Sequence, residues 1–307
     1  MPNFSSTSMI SRYKDPAQAV YFNDQWAQAL LQLNGLQLNP HTLTTDWGQT
    51  RVWIHTPQRR IYETVVLFPG FNASSLVWLV GQGINSLSKN YRLCLVDING
   101  QPGFSEGMIP KPGTDEYGHW TRQVLQQLGI SRATLIGHAL GALICLKACR
   151  VAPELVKKVI LVNPAGLQPL SLSIALLRYY LLALRGPSYA SLQAFLREAV
   201  FSPLAPPLNP AQEKLLIDFQ CHSLSSFEFT PWWHQTLAKE ELASIQTPLY
   251  LILGAQDKLY PYQGSLSQAT QHLPSLVSAT VLPKLGHSLQ GNTILFSALR
   301  SILAQGD

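Results

Sequence analysis

Apolar and polar positions divide the chain into short, nearly continuous apolar runs separated by stretches with helical spacing. Four early runs read as strands: Glu63–Pro69 (ETVVLFP), Tyr91–Ile98 (YRLCLVDI), Ala133–Ile136 (ATLI) and Val159–Val162 (VILV). Runs of this length without alternation suit strands covered on both faces. Helices are expected between them, after Ser75, near Thr114–Leu128 and after Gly141. Alternating strands and helices imply a parallel sheet clothed on both sides, with right-handed crossovers. Ahead of this core, Pro16–Leu33 places Val20, Trp26, Leu30 and Leu33 at helical spacing. Thr42–Thr56 alternates on either side of Asp46-Trp47-Gly48-Gln49, which predicts a hairpin. The strand signal then stops. Leu167–Ala243 reads as helices near Leu170–Leu184, Tyr189–Val200, Ala211–Gln220 and Pro231–Ser244, interrupted by the proline-rich Ser202–Pro207. Alternation resumes with a strand at Leu249–Leu253, a helix at Tyr262–His272, a strand at Val277–Leu282 and a helix at Asn292–Ala304. The expected division is an N-terminal extension (1–41), an α/β core (42–166 and 244–307) and an inserted helical cap (167–243). No internal repeat is visible.

Composition narrows the class. Hydrophobic residues make up 46% of the 307 and charged residues 13%, the balance of a chain with a substantial core. The formal charge of +5 is scattered, with only the short pairs Arg59-Arg60 and Lys157-Lys158. That gives no nucleic-acid footprint, which needs a clustered basic face. The first fifteen residues are polar and do not read as a secretory signal. The longest apolar run, Ile174–Leu184, is broken by Arg178 and falls short of the roughly 20 residues that span a bilayer. The four cysteines, Cys94, Cys145, Cys149 and Cys221, lack metal spacing and read as buried free thiols. A cytoplasmic protein, monomer or homodimer, without stable membrane insertion, is expected.

The centre of the chain is Ala133–Cys149 (ATLIGHALGALICLKAC). A strand breaks into Gly137-His138-Ala139-Leu140-Gly141 and an apolar helix follows. Small residues two before and two after position 139 suit a sharp, strained turn whose neighbours must stay out of the way. This is the layout of the nucleophile elbow G-x-S-x-G, with alanine where the serine belongs. The segment resembles the α/β-hydrolase superfamily, whose common version would read G-H-S-L-G. The resemblance extends over roughly residues 42 to 305, the cap excepted. It includes strand-Gly-x-x-Asp at Gly254–Asp257, Gly286-His287 after the last strand, and the turn from Asp97 to Ser105, which carries one extra residue.

The resemblance implies an α/β-hydrolase fold and a triad in the chain order nucleophile, acid, histidine. Ala139 then holds the nucleophile position, Asp257 is the acid and His287 the base. The oxyanion donors would be the backbone N–H groups of Leu140, at a helix N-terminus, and of Phe71, after Pro69-Gly70 where relatives commonly carry His-Gly. Asn72 could add a side-chain donor, although a turn residue is the simpler reading. His138 is expected to point away from the site, and Asp97 to be structural. Ser74 and Ser75 look like the start of a helix. No phosphate-cradling glycine motif and no metal cluster is present, so no cofactor is implied.

Alanine has no lone pair and cannot form an acyl-enzyme; losing a triad nucleophile costs on the order of 10⁶ in kcat in a protease of the same logic. Cys145, six positions on, lies too far along the helix to substitute. Three readings follow: a serine hydrolase inactivated by Ser→Ala at 139, which the remaining residues favour; a non-hydrolytic lyase, cyclase or cofactor-free oxygenase using His287-Asp257 as general base; or a ligand-binding protein without catalysis. The elbow alanine disfavours dehalogenase and epoxide hydrolase chemistry, which needs aspartate there. The cap is rich in Leu, Tyr, Phe and Trp. Tyr179, Trp232 and Trp233, with Phe227 and Phe229, are its candidates for the cleft, and the expected ligand is a small hydrophobic ester or thioester. Arg178, Arg185 and Lys239 could meet an anion but read more simply as solvent-facing.

Overall fold

A computed structural model describes residues 12–58, 63–81, 83–171, 181, 186–228, 235–289 and 293–305. Its centre is a nine-stranded sheet. In chain order the described elements are β1 (Arg12–Tyr13), α1 (Pro16–Asn34), β2 (Asn39–Thr45), β3 (Gly48–His55), β4 (Glu63–Phe68), a 3-10 turn (Ser75–Leu79), α2 (Asn85–Ser88), β5 (Tyr91–Val96), β6 (Glu106–Gly107), α3 (Glu116–Gln127), β7 (Ala133–His138), α4 (Leu140–Val151) and β8 (Val156–Val162). After these come α5 (Tyr189–Phe195), a π-helical turn (Leu196–Val200), α6 (Pro210–Ser226), β9 (Phe227–Glu228), α7 (Lys239–Ala243), β10 (Leu249–Gly254), α8 (Tyr262–His272), β11 (Leu276–Leu282) and α9 (Thr293–Ala304).

The sheet runs β11-β10-β8-β7-β4-β5-β3-β2, with β6 pairing β3. Pairing is parallel from β11 to β5, and antiparallel where β3 meets β5, β2 and β6. The α/β class read from the sequence is what the structure has. All six residues of β7 are buried, as a central strand with two covered faces requires. Its even positions, with Leu67 and Leu95, face a layer built from Trp26, Leu30, Trp78 and Phe296. Its odd positions, with Val66 and Val96, face a layer holding Trp120, Leu143 and Leu146. The centre of α4 is buried, including Lys147, whose ammonium lies 2.9 Å from Glu241 and 3.4 Å from Asp115. Pairing of that kind is what makes a buried lysine tolerable.

The structure changes the sequence reading between β8 and β10. A strand does occur there: Phe227–Glu228 pairs antiparallel with Arg12–Tyr13, a ladder too short to show a period. The helix expected at Tyr189–Val200 ends in a π turn, and the one expected at Ala211–Gln220 extends to Ser226. Of the helix expected at Pro231–Ser244, only Lys239–Ala243 is helical among the described residues. Of the helix expected at Leu170–Leu184, Leu170 and Ser171 are not helical, Leu181 is, and the rest lies outside the described residues. The stretch after Ser75 is a 3-10 turn followed by four residues of helix, with Ser74 capping the turn through the Leu76 N–H. Cys94, Cys145 and Cys149 are buried free thiols, whereas Cys221 is half-buried. Among the described residues, no helix is long and apolar enough to cross a membrane.

Candidate active site

The elbow is built by close packing. Position 139 follows β7 directly and caps α4 with φ 47° and ψ −111°. Angles of this kind cost an L-residue on the order of 1–3 kcal/mol and persist only where the surroundings enforce them. Here the enforcement is visible. A Cβ at Gly137 would sit 2.3 Å from the Gly141 carbonyl oxygen, and one at Gly141 would sit 2.4 Å from that of Phe68. Gly141 N–H donates to the Pro69 carbonyl at 3.0 Å, and Ala139 N–H to the Val162 carbonyl at 3.1 Å. Leu140, the first residue of α4, has an N–H with no acceptor among the described residues, and it points from a helix end that favours negative charge.

Asp257 and His287 meet although 30 residues separate them. Asp257 follows β10 and is buried; its Oδ1 accepts from the N–H groups of Leu259 (2.8 Å) and Tyr260 (3.0 Å). Its Oδ2 lies 2.9 Å from His287 Nδ1. A carboxylate there fixes the proton on Nδ1 and leaves the Nε2 lone pair for chemistry. His287 Nε2 has no partner among the described residues, and its ring borders the same cavity as Ala139 and Phe71.

That cavity is about 150 Å³. Val77, Leu170, Phe195, Leu196, Val200 and Leu216 are among the apolar residues of its wall. Among the described residues no lysine, arginine or carboxylate lines it. It therefore suits an uncharged, apolar group reaching Ala139.

His138 lies closer to the site than its expected outward orientation suggested. It borders the cavity, and its ring centroid is 4.8 Å from that of His287. Its Nε2–H donates to the His287 carbonyl at 2.7 Å. Burial first, and then the neighbouring His287 charge, push its pKa down to about 3, against a weaker pull upward from that hydrogen bond. It is a neutral donor at physiological pH.

Two asparagines have roles that their sequence context does not announce. Asn163, at the end of β8 with φ 45°, donates to the carbonyls of Gly286 (2.8 Å) and His287 (3.2 Å) and accepts from Gly254 N–H (2.7 Å). It joins the end of β10, just before Asp257, to the loop that carries His287. The sequence offers Asn72 as a side-chain donor to an oxyanion or substrate. Its side chain instead bonds Gln220 and Ser223 of α6, and it does not line the cavity. Asp97 is buried, with Oδ1 accepting from Ser74 Oγ (2.9 Å) and Ser75 N–H (2.5 Å) and Oδ2 from Phe104 N–H (3.2 Å). It braces the loop after β4 from behind, and burial raises its pKa against those hydrogen bonds. Tyr179, Trp232, Trp233, Arg178, Arg185 and Phe229 lie outside the described residues. Phe227 is buried and Lys239 exposed.

Comparison with known proteins agrees with this fold. A family model for the alpha/beta hydrolase fold matches residues 63–292. An uncharacterized carboxylesterase, nap, of Bacillus subtilis (strain 168) is 28% identical over 252 residues, covering 80% of each chain. RutD of Pseudomonas savastanoi pv. phaseolicola, provisionally assigned as a carbamate hydrolase, is 29% identical over 233 residues, covering 72% of this chain and 83% of its own. The crystal structure of naproxen esterase from Bacillus subtilis superposes with a TM-score of 0.79 at 24% identity, covering 94% of this chain and 99% of that one. This last likeness is one of fold.

Proposed function

The chain belongs to the α/β-hydrolase-fold family, and from that premise we propose that its cavity is the active site of a serine hydrolase for hydrophobic carboxylic esters or thioesters, with Ala139 standing where the nucleophile acts. One observation carries the reading. A non-glycine residue in strained backbone faces the same cavity as a histidine already oriented by a buried carboxylate. Strain at that point has a use only if a side chain must be presented there. The carboxylesterase relatives support the substrate class.

With serine at 139 the chemistry would run as follows. His287 Nε2 takes the hydroxyl proton as Oγ attacks the acyl carbon. The N–H groups of Leu140 and Phe71 receive the developing oxyanion. His287 returns the proton to the leaving alcohol or thiol, and the same base then activates water to release the acid. With Ala139 no bond can form to the acyl carbon, so the chain holds its ligand without turning it over. The inserted helices act as a cap whose apolar side chains select the acyl group. The free thiols fit a reducing compartment such as the cytoplasm.

The test is Ala139→Ser on p-nitrophenyl esters from acetyl to decanoyl, with an N-alkyl carbamate added because of the RutD likeness. Hydrolysis by Ala139→Ser, none by the chain as it stands and none by Ala139→Ser/His287→Ala, supports the proposal. The intact Asp257–His287 pair favours one other reading, in which His287 takes a proton directly from the ligand. A folded Ala139→Ser variant that hydrolyses nothing would turn the assignment to that chemistry.

A further inference from the structure

Asn72 follows the oxyanion donor Phe71 in the chain. Its φ is 54° and it is only 2% exposed, yet all its polar groups are engaged. Its N–H donates to Gln101 Oε1 at 2.9 Å. Its carbonyl accepts from Gln220 Nε2 at 2.9 Å, its Nδ2 donates to Gln220 Oε1 at 2.8 Å, and its Oδ1 accepts from Ser223 Oγ at 2.8 Å. Gln220 thus closes a two-bond ring on Asn72. Gln220 and Ser223 belong to α6, in the insertion, while Gln101 belongs to the core. On the other side of Phe71, the Pro69 carbonyl is held by Gly141 N–H at the elbow. The peptide that presents Phe71 N–H therefore hangs between two fixed points. The elbow supplies one and the insertion the other. Gln220 also lines the cavity beside Phe71.

We propose that Gln220 is a positioning residue that holds the oxyanion loop in its working shape, so that seating of α6 over the cavity and completion of the oxyanion hole are one event. The inference rests on the hydrolase reading for its catalytic meaning, but its structural core stands apart from that reading. A glutamine on the inserted helices sets the geometry of a core loop. A ligand that presses α6 outward would loosen the donor for the oxyanion, whereas one that fits under it would keep the donor aimed. Fit of the acyl group then enters the rate of the chemical step as well as binding.

The test uses Gln220→Met, which keeps length and loses both hydrogen bonds, and Gln220→Glu, which keeps the acceptor for Asn72 Nδ2. In the chain as it stands, amide hydrogen exchange is followed over residues 69–75. Gln220→Met is expected to raise exchange in that segment at least about tenfold, because both hydrogen bonds to Asn72 are lost, with Gln220→Glu between it and the parent. Unchanged exchange there overturns the proposal, whether or not the protein is a hydrolase. The same substitutions are then placed on Ala139→Ser. There kcat is expected to fall about 10²-fold with KM within about threefold, and an alkyl boronic acid, which mimics the tetrahedral oxyanion, to lose affinity in the same proportion as kcat. A change in KM alone, or boronate affinity left intact, contradicts the proposal. If Ala139→Ser itself is inactive, the hydrolase reading fails by that result, and the exchange measurement still decides the role of Gln220.

Discussion

His138 shows how a residue beside the reacting position can matter without touching a substrate. Its folded pKa of about 3 lies below the ordinary 6.5 of histidine. Between those values the unfolded chain binds a proton that the folded chain refuses. The associated stability is complete above about pH 6.5 and declines as pH falls toward 3, by up to ~1.4 kcal/mol per pH unit. Asp97 works with the opposite sign, because its folded pKa is raised, so the comparison must be a difference between variants. His138→Gln keeps an N–H donor for the His287 carbonyl and removes the titration. It is expected to flatten the fall of Tm between pH 6.5 and 4 relative to the parent. A chemical prediction belongs at this scale too. On Ala139→Ser, Asp257→Asn is expected to lower kcat by about 10⁴ with little change in KM, because the amide leaves His287 in the wrong tautomer; ester hydrolysis rates measure it.

Asp257 and His287 could be read from the sequence because each sits in the short loop after a strand, three residues beyond β10 and five beyond β11. Asn163 and Asn72 could not. Both stand in turns where asparagine is ordinary, and their partners lie far along the chain, 123 residues away for Gly286 and 148 for Gln220.

Among the elements, the elbow was the most legible, since its glycines are demanded by contact. Gly141→Ala would bring a methyl group to 2.4 Å from the Phe68 carbonyl oxygen. It is expected to destabilise the fold by about 1–3 kcal/mol, read as a lower denaturant midpoint with an unchanged slope. The π turn at Leu196–Val200 was not legible. Apolar spacing over Tyr189–Val200 announces a helix, but the bond from Phe201 N–H to the Leu196 carbonyl at 2.7 Å, which widens its last turn, leaves no mark in composition. That turn matters because the Val200 carbonyl accepts from Ser288 N–H at 3.1 Å, immediately after His287, while Leu196 and Val200 border the cavity. The helical stretch between β8 and β10 therefore contacts both the loop after β4 and the loop that carries His287.

At the scale of the molecule, the N-terminal segment packs on α6 and on the loop after Asp97, contacts that its reading as a one-helix extension does not convey. Trp26 on α1 donates to the Leu215 carbonyl at 2.9 Å and its ring lies 4.5 Å from that of Phe219. Phe22 stacks on His222 at 3.9 Å, and Lys14 N–H donates to the Ser226 carbonyl at 2.8 Å. Tyr13 OH accepts from Asn23 and from Gly103 N–H, tying β1 to the core loop after Asp97. Trp26→Ala is expected to cost about 3–5 kcal/mol and to raise hydrogen exchange along α6 more than along β7. The layered sheet was legible because two-sided burial demands continuous apolar strands. The packing of α1 on α6 was not, since an amphipathic helix does not name the surface it covers.

The most direct measurement is intact mass after exposure to a fluorophosphonate, on the chain as it stands, on Ala139→Ser and on Ala139→Ser/His287→Ala. The expected result is a single adduct in Ala139→Ser, carried by the introduced hydroxyl, with none on the Ala139 chain and much slower labelling of the double variant. A folded Ala139→Ser that takes no adduct, or an adduct on the Ala139 chain itself, would contradict the assignment of position 139 as the place of the nucleophile.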